Sequence, residues 1–331
     1  MAITSHDVAR LAGVSQPTVS RALRDHPRVS LETRAKVREA AKSLGYVTNH
    51  AGRSLSTLST GRIGIVSAEL GNPFYPALIA PLHDELSARG YRTILVTDRG
   101  SDPLELETLI DGSLDGVILT TSEIDSEIPR ELARRGLPMV LLNRVVDDLK
   151  ADTCTTDDAG GAALIANLFA DLGHTCIAAI IGHPNASTSR DGQLGFVHAL
   201  AERGLELPED MIRIGPFTSQ FGASAFRELM TDGERPTAVY CMNDVIAIGA
   251  LNGAKELGID VPNDVTIVGL DDIEMASWST INLTTVHTDI PGMARAAADL
   301  ILKRIANPTA PPIHHQESVS LVLRGTHGPA H

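Results

Sequence analysis

Two sets of side chains in this sequence carry chemistry, and they lie in different parts of the chain. The first is Ser15, Gln16, Pro17, Thr18 and Arg21. An amide, hydroxyls and a guanidinium gathered at the start of a short helix suit the DNA major groove, where Gln pairs with adenine and Arg with guanine. The second set is spread over the long remainder: the aromatic residues Phe74, Tyr75 and Phe217, the polar pair Asn143 and Arg144, and carboxylates such as Asp244. Aromatic faces stack on sugar or purine rings, and a carboxylate accepts two hydroxyl or amine protons. Core packing is the competing reading for the three aromatics, as capping of the following helix is for Asp244.

Catalytic and metal chemistry fit poorly. No GxGxxG, GxxxxGK[ST] or GxSxG occurs, so the turns that cradle phosphates or present a nucleophile are missing from the sequence. The acid pairs Asp157/Asp158 and Asp271/Asp272 lie at strand-to-helix junctions, where capping is the simpler role. Of the twelve histidines only His314 and His315 stand close together, and Cys154, Cys176 and Cys241 have no ligand spacing. Neither a metal nor a cofactor is expected, and no enzymatic activity.

The elements that must position the first set are helical. Val8, Ala9, Leu11, Ala12, Val14, Val19 and Ala22 recur at helical spacing, interrupted by Gly13, so two short helices should meet at a tight turn. Thr4 with Asp7 forms a capping-box pattern, Ser15 caps the second helix, and Pro17 sits in its first turn, where a missing N–H is harmless. A third helix is expected from Leu31 to Leu44, with Ala35, Ala40, Ala41 and Leu44 inward. The formal net charge is −13, yet residues 1–60 hold nine Lys and Arg against four Asp and Glu, a local +5 that leaves −18 for the rest. A basic start on an acidic body confines nucleic-acid attraction to one end.

The run DVARLAGVSQPTVSRAL, Asp7 to Leu23, followed by VSLETRAKVREAAKSLGY, Val29 to Tyr46, resembles the headpiece of the lactose and purine repressor family. NHAGRSLST, Asn49 to Thr57, resembles that family's hinge helix. The resemblance implies DNA contacts from Thr4, Ser15, Gln16, Pro17, Thr18, Arg21, Asn49, Arg53 and Leu55. Leu55 would be a wedge in the minor groove, unstacking the central base step and bending the duplex; an ordinary linker leucine is the alternative. Gly52 stands where the family usually has Ala, and glycine costs about 1 kcal/mol in a helix interior. The hinge should therefore fold less readily without DNA.

From Gly61 onward, strand-length apolar runs (IGIVSAEL, TILVT, DGVILT, PMVLL) alternate with amphipathic stretches, and the alternation restarts at CIAAIIG, AVYCM and VTIVGL. Two doubly wound parallel-sheet subdomains follow. The whole reads as an α/β chain: a helix-turn-helix headpiece over 1–48, a hinge and linker over 49–60, and a body over 61–331. The body resembles the periplasmic-binding-protein-like body of the same family, with one subdomain near 61–156 and 289–316 and the other near 157–288 and 317–331. Crossings are expected near Thr155–Asp158, near His287–Ile290 and at a last strand Glu317–Leu323.

Ligands of open α/β sheets lie at the carboxyl ends of the strands. The resemblance implies an effector held there by Phe74, Tyr75, Asn143, Arg144, Asp157, Thr188, Arg190, Phe217 and Asp244. Gly192 departs from the pattern by standing where an effector-clasping arginine is usual. Arg190 is a substitute or a surface arginine on equal terms. Asn143 replaces a common acid, and with Arg144 and Arg190 nearby the effector is expected to be more anionic than a plain sugar. The implied partners are a pseudo-palindromic double-stranded DNA operator, a small-molecule effector and a second copy of the chain. The sequence ends without a leucine heptad, so a dimer is expected over a tetramer. Without a signal peptide or a long apolar run, no membrane partner and a reduced, cytoplasmic setting are expected. A secreted solute-binding protein would share the body but not the headpiece.

Overall fold

The computed structural model describes residues 3–23, 25–46, 59–97, 106–231 and 233–330. The chain divides into two compact units, Met1–Thr60 and Gly61–His331.

In the first unit, α1 (Ser5–Ala12), α2 (Gln16–Leu23) and α3 (Leu31–Ser43) enclose a small core of Val8, Val19, Ala22, Val37, Ala40 and Ala41. The capping box forms as expected: Thr4 N–H donates to Asp7 Oδ2 at 3.0 Å and the Thr4 hydroxyl donates to the same oxygen at 2.7 Å. Gly13 closes α1 at φ 65°, a left-handed conformation that disfavours any residue with a Cβ. Ser15 behaves differently from expectation, its hydroxyl pairing with that of Thr18 at 2.8 Å while its carbonyl accepts from Thr18 and Val19 N–H. Ala35, expected inward, is exposed, and Val37 is fully buried in its stead. The inward stripe of α3 runs Val37, Ala40, Ala41, Leu44 at helical spacing, and Ala35 lies two residues, about 200°, around the helix from Val37.

The second unit contains two parallel sheets. One has the order β11-β5-β4-β3-β1-β2, formed by β1 (Arg62–Val66), β2 (Arg92–Val96), β3 (Gly116–Leu119), β4 (Met139–Leu142), β5 (Asp152–Thr156) and β11 (His314–Glu317). The other runs β7-β6-β8-β9, from β6 (Ile177–Ile181), β7 (Ile212–Ile214), β8 (Ala238–Cys241) and β9 (Thr266–Val268). GVIL, MVLL, IAAII and AVYC are buried throughout, as strands covered on both faces must be. Helices α4 (Phe74–Ala88), α5 (Glu107–Ile110), α6 (Glu127–Arg134) and α11 (Ile290–Ala306) belong to the first subdomain. The second carries α7 (Asp158–Asp171), α8 (Ser187–Glu202), α9 (Ser219–Thr231) and α10 (Asp244–Leu257). Packing pairs α4 with α11, α7 with α8, and α9 with α10.

The chain passes between the subdomains three times. Two crossings end in the same device: Asp157 caps α7 by accepting Gly160 N–H at 3.0 Å, and Asp289 caps α11 by accepting Gly292 N–H at 2.9 Å. The third differs from the single last strand expected over Glu317–Leu323. Glu317 ends β11 in the first sheet, and β12 (Val319–Val322) pairs antiparallel with β10 (Thr285–Thr288) in a separate ribbon. Among the described residues no helix is long and apolar enough to cross a membrane.

Candidate ligand cavity and DNA-facing helix

In the first unit, Pro17 and Arg21 are exposed on α2, with Ser15 exposed before it and Thr18 half-buried. Gln16 is partly tethered, its Nε2 donating to Ser5 Oγ of α1 at 3.2 Å. Asn49, Arg53 and Leu55, with Gly52, lie outside the described residues.

In the second unit, a narrow cavity lies between the two subdomains, and Phe74, Tyr75, Asn143, Arg144, Thr188 and Phe217 all line it. Phe74 and Tyr75 form the first turn of α4, edge to face with ring centroids 5.4 Å apart, and Asn72 Oδ1 holds that turn by accepting Phe74 N–H at 3.1 Å. Both rings are buried, so each serves the core and the cavity wall together. Asn143 leaves β4 at φ 73° and its Nδ2 donates to the Tyr75 hydroxyl at 3.4 Å. Arg144 is buried, its Nη2 donating to Glu69 at 2.8 Å. Its guanidinium carbon lies 5.0 Å from the Phe217 ring centroid, a cation–π contact that joins the two subdomains.

Two carboxyls not singled out from the sequence as ligand groups, Asp158 and Asp271, also line the cavity. Asp158 accepts the Thr156 hydroxyl at 3.1 Å, and burial pushes its carboxyl up to about 8. Burial also holds Asp271 well above the carboxylate range, and the nearby charges of Asp244 and Asp158 push the same way. Asp158, at about 8, therefore keeps its proton near neutral pH, and a protonated carboxyl both donates and accepts. Such groups match hydroxyls.

Three expected ligand residues stand elsewhere. Asp157 is spent as the cap of α7, and its neighbour Asp158 faces the cavity because adjacent residues point apart. Asp244 is fully buried and already accepts two protein protons, from Ile273 N–H at 2.9 Å and from the Thr285 hydroxyl at 2.5 Å. Burial raises it to about 7. The cap of α10 is Asn243, which accepts Ile246 N–H at 2.9 Å and lines the cavity. Arg190 is occupied by Asp147, at 2.7 and 2.8 Å to its two oxygens, and by Asp191 at 2.8 Å. It thus links α8 to the loop after β4 in the other subdomain. Two more bonds cross the same seam, from Val145 N–H to Ser187 Oγ at 3.0 Å and from Ile124 N–H to the Asn185 carbonyl at 2.9 Å.

Gly192 has a spatial reason. A Cβ there would lie 2.5 Å from Met242 Cε and 3.2 Å from the Tyr240 hydroxyl oxygen, so Met242 occupies the room an arginine stem would need. The positive charge expected of the cavity is also cancelled: Arg144 is paired with Glu69 and Arg190 with Asp147 and Asp191, while Asp158 and Asp271 add carboxyls. The two arginines on which the expectation of an anionic guest rested thus meet protein carboxylates first. Asp158 and Asp271 were findable in principle, since each begins or ends a strand-to-helix junction in a DD pair. Which member of a pair turns inward is set by backbone direction.

Residues 4–49 match the model of bacterial regulatory proteins, lacI family, and residues 166–327 match that of a periplasmic binding protein-like domain. The ribose operon repressor of Escherichia coli (strain K12) is 33% identical over 98% of this chain and 99% of its own. A solved transcriptional regulator CelR-cellobiose complex is 30% identical with a TM-score of 0.74, covering 98% of this chain and 99% of that one. The lac repressor dimer bound to operator and the anti-inducer ONPF is 25% identical with a TM-score of 0.87, again over 98% and 99%.

Proposed function

The chain belongs to the lacI family of bacterial regulatory proteins, and within it we propose a regulator whose effector is a neutral, polyhydroxylated ring held between the two subdomains. The protein is a DNA-binding transcription regulator whose operator affinity is controlled by a small molecule. The observation that carries the effector class is the lining of the cavity: Phe74 and Phe217 as flat apolar walls, Asp158 and Asp271 as buried carboxyls raised above the usual range, and Asn143 and Asn243 as amides. Sugar rings present an apolar face and a rim of hydroxyls, which that combination meets. Relatives named for ribose and cellobiose favour the same class. The chain acts by binding rather than catalysis, as do the transcription regulators it resembles over its whole length.

Two copies associate as a homodimer and set two headpieces on a pseudo-palindromic operator, with Gln16, Pro17 and Arg21 toward base edges and Leu55 as the wedge. Ligand in the cavity changes the relative pose of the subdomains, and that pose decides whether both hinges order on DNA. The coupling is reciprocal, so operator changes effector affinity by the same factor. Thermal-shift screening with neutral sugars, sugar acids and nucleosides tests the effector class; stabilisation by acids alone overturns it. Fluorescence anisotropy with palindromic and random duplexes at moderate salt tests the DNA side, where equal affinities would be fatal. Leu55→Ala should weaken specific binding far more than nonspecific binding.

A further inference from the structure

Sharing Arg144 as a lining residue with the ligand cavity is a second, larger hollow of about 350 Å³, confined to the first subdomain. It opens at the carboxyl ends of β1 and β3, with Val66 and Leu119 in its floor and Ile128 and Pro129 of α6 in its wall. The strand order β11-β5-β4-β3-β1-β2 reverses between β1 and β3. In open α/β sheets, the crevice at such a reversal is where ligands lodge.

The hollow's polar groups select a chemistry. Thr121 Oγ1 accepts Ala68 N–H at 2.9 Å and Ser126 Oγ accepts Glu123 N–H at 2.8 Å, which leaves each hydroxyl proton to give to a guest. Arg144 forms the side toward the cleft, its Nη2 donating to Glu69 at 2.8 Å. Donors therefore face the space together with the carboxylates of Glu69, Glu123 and Glu127. An acidic guest would be repelled by three carboxylates, and a hydrocarbon would leave the donors and acceptors unmet. A neutral hydroxylated ring accepts from Thr121 and Ser126, donates to the carboxylates, and lays its apolar face on Leu119 and Ile128.

We propose that this hollow binds a saccharide ring, beside the one in the cleft and sharing Arg144 as a wall with it. The proposal rests on the reading of the cleft as a sugar site. The ring is either the second unit of a disaccharide or a separate monosaccharide, which share the same chemistry and differ in stoichiometry.

Titration calorimetry on the full chain, with ribose, glucose and galactose against cellobiose, maltose and lactose, separates these. A disaccharide bound once per chain at least tenfold more tightly than any monosaccharide supports the linked form. A monosaccharide bound twice per chain supports the separate one. Ile128→Trp fills the hollow and should abolish the tenfold advantage or reduce two sites to one, leaving cleft affinity in place. Glu123→Ala, at an exposed position, should lower binding in the hollow several-fold without risk to folding. One monosaccharide per chain with no disaccharide advantage overturns the proposal, as does an unaltered titration of both variants. Phe217→Ala should weaken the cleft most: loss of binding there, with Ile128→Trp silent, leaves the cleft standing and removes the hollow. If no sugar binds the wild-type chain, the cleft reading falls and this proposal with it.

Discussion

Asp158→Asn replaces a titrating carboxyl with a neutral group of the same shape, and Asn Oδ1 can still accept the Thr156 hydroxyl. Burial holds Asp158 at about 8 in the folded chain against an ordinary 3.8, so the folded state keeps a proton that the unfolded state releases between those values. With more protons bound in the native state, stability falls as pH rises through that window, and is unaffected by this group below about pH 4. One fully differential proton changes stability by about 1.4 kcal/mol per pH unit. For a domain of this size that is roughly 3 to 5 °C in Tm per pH unit. Asp244, raised to about 7, adds its own slope up to that pH, but it is present in both proteins and cancels in the comparison. Thermal melts of ligand-free protein from pH 4.5 to 8.5 at fixed ionic strength should therefore show the variant gaining on wild type steadily between pH 5 and 7, with the gain levelling off above about 8. Melting curves that run parallel across that range would refute the claim that Asp158 is buried with its proton.

Gly192→Ala should change the stability of the body by no more than about 1 kcal/mol in chemical denaturation, since the added Cβ meets the flexible end of Met242, which can turn aside, and alanine is the better helix former. A loss above about 3 kcal/mol would show that Met242 is locked in place. Arg190→Ala removes a half-buried ion-pair cluster that is still open to solvent screening, so stability should fall by about 1 kcal/mol. Hydrogen exchange of 145–149 should nevertheless quicken, since Arg190 joins that loop to α8; unchanged exchange would show that the bond does not hold the seam. Arg21→Ala should cost about 1 to 3 kcal/mol of operator affinity and relax the base preference at one position, read by anisotropy on a set of operator variants. A uniform loss on every sequence would reduce Arg21 to a phosphate contact.

The sequence alone determined the modules and their local punctuation. Helical periodicity, the Thr4–Asp7 cap and Gly13 are local signals, so the helix-turn-helix was legible before any packing was known, and the buried runs IAAII and AVYC announced parallel strands in the same way. Ala35 was misplaced because an alanine carries too little apolar area to declare its side of a helix. Only the tertiary structure decided the cavity's charge. Whether Asp157 or Asp158 turns inward, whether Asp244 has lone pairs to spare, and whether Arg144 and Arg190 arrive neutralised depend on residues far away in the chain: Thr285 for Asp244, Glu69 for Arg144, Asp147 for Arg190. A residue's type states what it can bond. Its burial and the partners that reach it first leave some of that capacity for a ligand, or none, and both are properties of the packed chain.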